Sequence, residues 1–135
     1  WAVEKMKILD TDIIIAILRK HEEALEKLTQ VQESDDEIAT TVFNEQEVLY
    51  GPVKYKLQEQ IESAKAFFNE INILIYERIC IPNTVEIIID LENRGLPIGT
   101  MDELIAGICL TYSAAIVTRN TDHFSRIPKL KVEKW

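Results

Sequence analysis

The sequence predicts an α/β domain: a three-layer α/β/α sandwich around a central, mainly parallel, twisted sheet of four to five strands. Three observations point there. Short apolar runs such as "MKIL" and "AIVT" have the length of strands. Longer segments with helical spacing of their apolar residues lie between these runs. The strands are apolar enough to be buried on both faces, which suits a parallel sheet covered by helices above and below.

Taken in order, Met6–Leu9 reads as a buried strand and Thr11–Leu18 as the helix after it. Residues 21–33 form a second helix, apolar at Leu25, Leu28 and Val31 with charge between. Glu37–Thr41 is a short strand. Residues 44–50 are a helix that Gly51 and Pro52 are expected to stop. A long amphipathic helix follows over 53–71, then a strand over 73–76. Residues 83–93 are a helix closed by Gly95, and residues 101–112 one with Leu104, Ile105, Ile108, Cys109 and Tyr112 on one side. Ala115–Thr118 is a strand and residues 130–132 a weaker last one. A single domain over 6–135 is expected, with residues 1–5, "WAVEK", as a leader of unknown role.

The totals narrow the function. A chain of 135 residues, 47% apolar, has the size and core of one domain. No apolar run approaches the roughly 20 residues of a membrane span, and no signal peptide is evident, so a cytoplasmic protein without a membrane partner is expected. Cys80 and Cys109 have neither metal-site nor disulfide spacing, and His21 and His123 lack cysteine companions, which argues against zinc. The net charge of −8 is uneven: residues 1–93 carry 9 Lys/Arg against 19 Asp/Glu, and residues 94–135 carry 6 against 4. An acidic protein repels phosphate, so a nucleic-acid substrate would need a local basic surface, a basic partner or bridging metal ions.

Four acids fall on one edge of the predicted sheet. In a parallel α/β unit, helix N-termini sit where strands end, and ligands bind along that edge. Asp10 ends the first strand; Glu47 opens the helix after the second; Asp102 opens the helix leading to the fourth; Asp122 follows that strand in "TRNTDHF". Each also has a structural reading. Thr100 and Glu103 look like a capping box around Asp102, Glu47 stands three residues after a capping Asn44, Asp10 and Asp12 suit a helix cap, and Asp122 suits a turn. Clustered carboxylates stay ionised only with compensation, and an oxygen-only set suits Mg²⁺ or Mn²⁺. Thr11, Thr118 and Asn120 are placed to orient a water or a phosphate oxygen, and Arg119 and Arg126 to meet phosphates.

The segments "MKILDTDIIIAIL", "TTVFNEQEVLYG", "PIGTMDELIAGICL" and "IVTRNTDHFSRIPKLKVEKW" resemble, in order and spacing, the motifs of PIN-domain ribonucleases, most of all the VapC toxins of prokaryotic toxin–antitoxin pairs. The resemblance implies RNA cleavage with one or two Mg²⁺ or Mn²⁺ ions, a homodimer, and a VapB-like antitoxin as partner. Carried over residue by residue, it assigns the acids to Asp10, Glu47, Asp102 and Asp122, with Asn120 at a place that is Asp in some members. Which of Asn120 and Asp122 faces metal stays open, as does the role of Asp12. Gly107 stands where the family commonly has Ala. Other readings are a haloacid-dehalogenase-like phosphatase, suggested by the Asp10-x-Asp12 spacing, a non-catalytic PIN-like domain that binds a partner, and a phosphorylated receiver domain.

Overall fold

The computed structural model describes residues 5–135, so the expected leader lies outside the described residues except for Lys5. Five parallel strands form one sheet: β1 (Met6–Leu9), β2 (Glu37–Thr41), β3 (Asn72–Leu74), β4 (Ala115–Thr118) and β5 (Lys131–Lys134). Their order is β3-β2-β1-β4-β5. The chain therefore winds outward in one direction from β1 and later returns to its other side. Ile8 pairs with Ala39 on β2 and Ile116 on β4, and Leu9 with Val117. The winding reverses between β1 and β4, and the ends of those strands are where open parallel sheets bind ligands.

Strand side chains alternate between the two faces, and two cores result. Ile8 and Ile116 belong to one, with Leu91, Ile105, Ile108 and Phe124; Leu9 and Val117 belong to the other, with Ile13, Ile14, Val31 and Phe68. Helices α1 (Thr11–Leu18), α2 (Glu22–Glu33), α3 (Val42–Lys54) and α4 (Gln58–Asn69) supply the second face. Helices α5 (Ile81–Arg94), α6 (Thr100–Thr111) and α7 (Thr121–Phe124) supply the first. This is the expected α/β/α sandwich. Among the described residues, no helix is long and apolar enough to cross a membrane.

Three local expectations are corrected. Gly51-Pro52 does not stop α3, which runs to Lys54 with Pro52 in its last turn. Gly51 has no Cβ for the proline ring to strike, so the usual restriction before proline is relaxed. What closes the helix is Lys56, two residues past its end, whose φ of 56° lets Leu57 N–H donate to the Pro52 carbonyl at 2.9 Å. The predicted 53–71 helix is thereby cut, and α4 starts at Gln58. The Thr100–Glu103 capping box does not form. Gly99, at φ 95°, caps α6 and leaves Thr100 already helical, with no side-chain cap bond. The box is found on α3 instead, between Thr41 and Asn44.

Candidate active site

Asp10 follows β1 directly and caps α1, its Oδ1 accepting the Thr11 amide at 2.9 Å. The same oxygen accepts Asn44 Nδ2 at 3.0 Å, and Oδ2 accepts the Thr118 hydroxyl at 2.7 Å. The side chain thus ties the ends of β1 and β4 to the start of α3. Asp10 is only 7% exposed. Burial pushes its carboxyl up to about 6; the Thr118 hydroxyl and the Thr11 amide pull it down, while the charges of Asp12 and Asp102 add to the rise.

Asn44 is fully buried and uses both ends of its amide. Its Oδ1 accepts the Thr41 hydroxyl at 2.6 Å and its Nδ2 also donates to Thr11 Oγ1 at 3.0 Å. Glu47 lies one turn further along α3, on the same side as Asn44. Burial raises its carboxyl, the Thr11 hydroxyl opposes this, and the charge of Asp102 adds to it.

Asp102 lies in the first turn of α6, where the helix dipole favours an anion. Its Oδ2 accepts Asn120 Nδ2 at 3.2 Å and lies 2.9 Å from His123 Nδ1. Asn120 Nδ2 also lies 3.3 Å from that ring nitrogen. A carboxylate only accepts, so Nδ1 carries the hydrogen facing Asp102 and the Asn120 amide donates to Asp102 alone. Oδ1 of Asp102 accepts no hydrogen bond among the described residues.

The charge of Asp102 therefore reaches both Asp10 and Glu47, and that of Asp12 reaches Asp10. They do not form a closed cage: among the described residues, no three His, Cys, Asp or Glu side chains stand grouped as a metal site. Asp122 is not brought to them. Its side chain is 82% exposed and pairs with Arg126, four residues on, at 3.0 Å. The short helix α7 turns it outward and leaves Asn120 facing Asp102. Arg126 is also held by the Pro97 carbonyl.

Asp12 has a different environment. Oδ1 accepts the Trp135 indole N–H at 3.0 Å, and Oδ2 accepts the Arg119 amide at 2.9 Å and lies 3.1 Å from the Thr118 hydroxyl. The Arg119 guanidinium stacks 3.6 Å from the Trp135 ring centre and pairs with Glu23. Sequence reasoning missed His123 and Trp135 and took Asn44 only for a cap. No spacing rule joins Asp102 to His123 or Asp12 to Trp135; each contact depends on how β4, α7 and β5 follow one another. Beside Glu47, a groove of about 560 Å³ opens between α1, α3 and α4, lined by Ile15, Leu18, Val48 and Ala64 among others.

Comparison with known proteins agrees with this architecture. The PIN domain pattern matches residues 7–130. Ribonuclease VapC2 of Rickettsia felis is 32% identical over 129 residues, covering 95% of this chain and 96% of that protein. The tRNA(fMet)-specific endonuclease VapC of Shigella flexneri is 27% identical with the same coverage. The crystal structure of VapBC2 from Rickettsia felis bound to a DNA fragment from their promoter superposes with a TM-score of 0.85 at 30% identity, over 96% of this chain and 98% of that one. These matches displace the phosphatase and receiver alternatives. The chain belongs to the PIN-domain family, and within it is of the VapC ribonuclease type.

Proposed function

We propose that the protein is an endoribonuclease that hydrolyses RNA phosphodiester bonds with Mg²⁺ or Mn²⁺, and that it is the toxin of a VapBC-type pair in a prokaryotic cytoplasm. The observation that carries this is the meeting of Asp10 and Glu47 at Asp102: burial first, and then the charge of Asp102, raises both carboxyls. Such a set is relieved by a cation.

The donor chemistry fits a hard divalent ion, since the donors are carboxylate oxygens and both cysteines are buried. Asp10 Oδ1 already accepts two hydrogen bonds, while Oδ2 accepts one and keeps a lone pair. Asp10 Oδ2 and the undonated Asp102 Oδ1 are therefore the atoms assigned to one or two ions, with Glu47 as third carboxylate. A bound ion supplies neutralising charge for the phosphoryl group and makes the attacking water more acidic.

The chain's own residues do the rest. Thr118, Thr11 and Asn44 fix the Asp10 carboxylate, and Asn120 and His123 fix Asp102, so neither must reorganise. With Asp10 and Asp102 held by hydrogen bonds, Glu47 is the carboxylate left to take the proton of the attacking water. Water oxygen bonds to phosphorus, the bond to the 3′ oxygen breaks, and that oxygen takes a proton from solvent as it leaves, giving 5′-phosphate and 3′-hydroxyl ends. No side-chain nucleophile is needed. Burial pushes the Cys109 thiol up, away from reactivity.

A homodimer and a VapB-like antitoxin complete the reading. The groove beside Glu47 offers apolar surface for an antitoxin segment. The relative named for tRNA(fMet) makes that tRNA the first substrate to try. The test is cleavage of tRNA(fMet) and of mixed cellular RNA with Mn²⁺, with EDTA, and with Asp10→Asn or Asp102→Asn. Metal-dependent cuts lost in both variants support the assignment; cleavage that survives in either one refutes it.

A further inference from the structure

We propose that Trp135 and Asp12 form a positioning strap that holds Thr118 against Asp10, and that Asp12 stays out of the ion-holding set. This rests on the nuclease reading above. The geometry is a sequence of contacts. The Trp135 indole donates to Asp12 Oδ1 at 3.0 Å, and the Arg119 amide donates to Oδ2 at 2.9 Å. Both Asp12 oxygens are thereby aimed at protein donors. The Arg119 amide lies next in the chain to Thr118, so Asp12 pins the end of β4 to the first turn of α1.

Thr118 has one hydroxyl hydrogen and two candidate acceptors. Asp10 Oδ2 is at 2.7 Å and Asp12 Oδ2 at 3.1 Å. The backbone N–H of Asn120 donates to the same hydroxyl at 2.9 Å, which orients its lone pairs. With Asp12 held by Trp135 and Arg119, the hydrogen goes to Asp10. With Asp12 released, its Oδ2 is free to move closer and take that hydrogen, and Asp10 loses the donor that fixes Oδ2.

Trp135 is itself held from both sides. Its ring packs on the core that contains Leu9, Ile13 and Val117. Its other neighbour is Arg119, stacked 3.6 Å from the ring centre, whose Nε donates to the Trp135 carbonyl at 3.1 Å. The indole is thus a fixed donor rather than a mobile surface group. Trp135 and Asp12 are positioning residues, since they act on the site through Thr118.

The test uses the full chain and the variants Trp135→Phe, Asp12→Asn, the two combined, and Asp10→Asn. Trp135→Phe keeps an aromatic ring under Arg119 and removes the N–H with the five-membered part of the indole. Cleavage of a fluorogenic RNA oligonucleotide should show kcat reduced about tenfold in Trp135→Phe and in Asp12→Asn, with KM within about twofold. The combined variant should be no worse than Asp12→Asn alone, because both act along one path. Mn²⁺ affinity, measured with the metal alone by calorimetry, should stay within about threefold in both and collapse in Asp10→Asn. The indole N–H resonance of Trp135, identified by its loss in Trp135→Phe, should move in Asp12→Asn. A wild-type kcat in Trp135→Phe, an indole signal indifferent to Asp12→Asn, or Mn²⁺ affinity lost in Asp12→Asn as in Asp10→Asn would each overturn the strap alone. RNA cleavage retained in Asp10→Asn would overturn the nuclease reading and the strap with it.

Discussion

Asn44 Nδ2 donates to Asp10 Oδ1 at 3.0 Å, joining residues 34 apart in sequence inside a fully buried contact. Its carbonyl end is occupied by Thr41 at the start of α3. The capping box of a helix and the fixing of the Asp10 carboxyl are here one side chain. Asn44→Ala removes both roles and leaves buried donors and acceptors unpaired, a loss of about 1–3 kcal/mol. Asn44→Asp keeps the shape but sets a carboxylate against Asp10, which costs about 3 kcal/mol or more at pH 7. Urea midpoints at pH 7 and pH 4.5 should show Asn44→Asp below Asn44→Ala at neutral pH, with the gap closing in acid. Equal losses at both pH values would mean the two carboxylates do not repel.

The raised Asp10 carboxyl makes a signed prediction for stability. Its ordinary value of 3.8 becomes about 6 in the fold, through burial first. Between these values the folded protein holds a proton that the unfolded chain has released, so stability falls as pH rises from about 4 to about 6. The loss is about 3 kcal/mol for the metal-free protein. Glu47 is raised too and acts in the same direction. Asp10→Asn should therefore stabilise the metal-free protein at pH 7 while abolishing cleavage, and the gain should vanish below pH 4. The new amide fits, because the Thr118 hydroxyl can accept from it and turn its own hydrogen toward Asp12 Oδ2 at 3.1 Å. Thermal unfolding in EDTA across pH 3.5–7.5 measures this; an Asp10→Asn protein less stable than wild type at every pH would refute it.

The parts legible in the sequence share one property: each depends on local pattern. The strands β1, β2 and β4 fall at the expected residues, because short apolar runs between helical segments have few other uses. The placement of Asp10, Glu47 and Asp102 on one edge followed from strand–helix alternation alone. Other features were invisible for physical reasons. The break at Lys56 carries no glycine or proline; its left-handed backbone is supported by the carbonyl of Pro52, itself mistaken for the stop. The outward turn of Asp122 depends on a four-residue helix too short to show a period. His123 and Trp135 reach the acids only because β4 and β5 lie side by side, a fact about topology.

Gly107 is a position where the packing leaves no room for a side chain. A Cβ there would meet Thr84 Oγ1 at 1.9 Å and Thr84 Cβ at 3.0 Å. Thr84 cannot simply turn away, since its hydroxyl donates to the Cys80 carbonyl at 2.9 Å and accepts from Tyr76 at 2.9 Å. Gly107→Ala gains up to about 1 kcal/mol of helix propensity but loses about 1–3 kcal/mol to overpacking. A net loss in thermal stability is expected, with kcat unchanged because the contact lies between α5 and α6, away from the acids. Adding Thr84→Ala should restore part of that loss. A single Gly107→Ala more stable than wild type would show that α5 moves aside freely.

Asn120 and Asp122, two residues apart, should behave in opposite ways. Asn120 Nδ2 donates to Asp102 Oδ2 at 3.2 Å, beside the His123 contact at 2.9 Å. Asn120→Ala leaves Asp102 with one fewer donor and frees its carboxylate to rotate, so kcat should fall about tenfold or more. Asp122 pairs instead with Arg126 at 3.0 Å from an 82% exposed side chain. An exposed pair of this kind contributes about 0–1 kcal/mol, so Asp122→Asn should change the melting temperature little and cleavage by less than about threefold. Parallel RNA-cleavage and thermal-shift measurements on the two variants decide the matter. A large loss of activity in Asp122→Asn with Asn120→Ala unaffected would mean that α7 turns inward in the working enzyme, carrying Asp122 to the acids in place of Asn120.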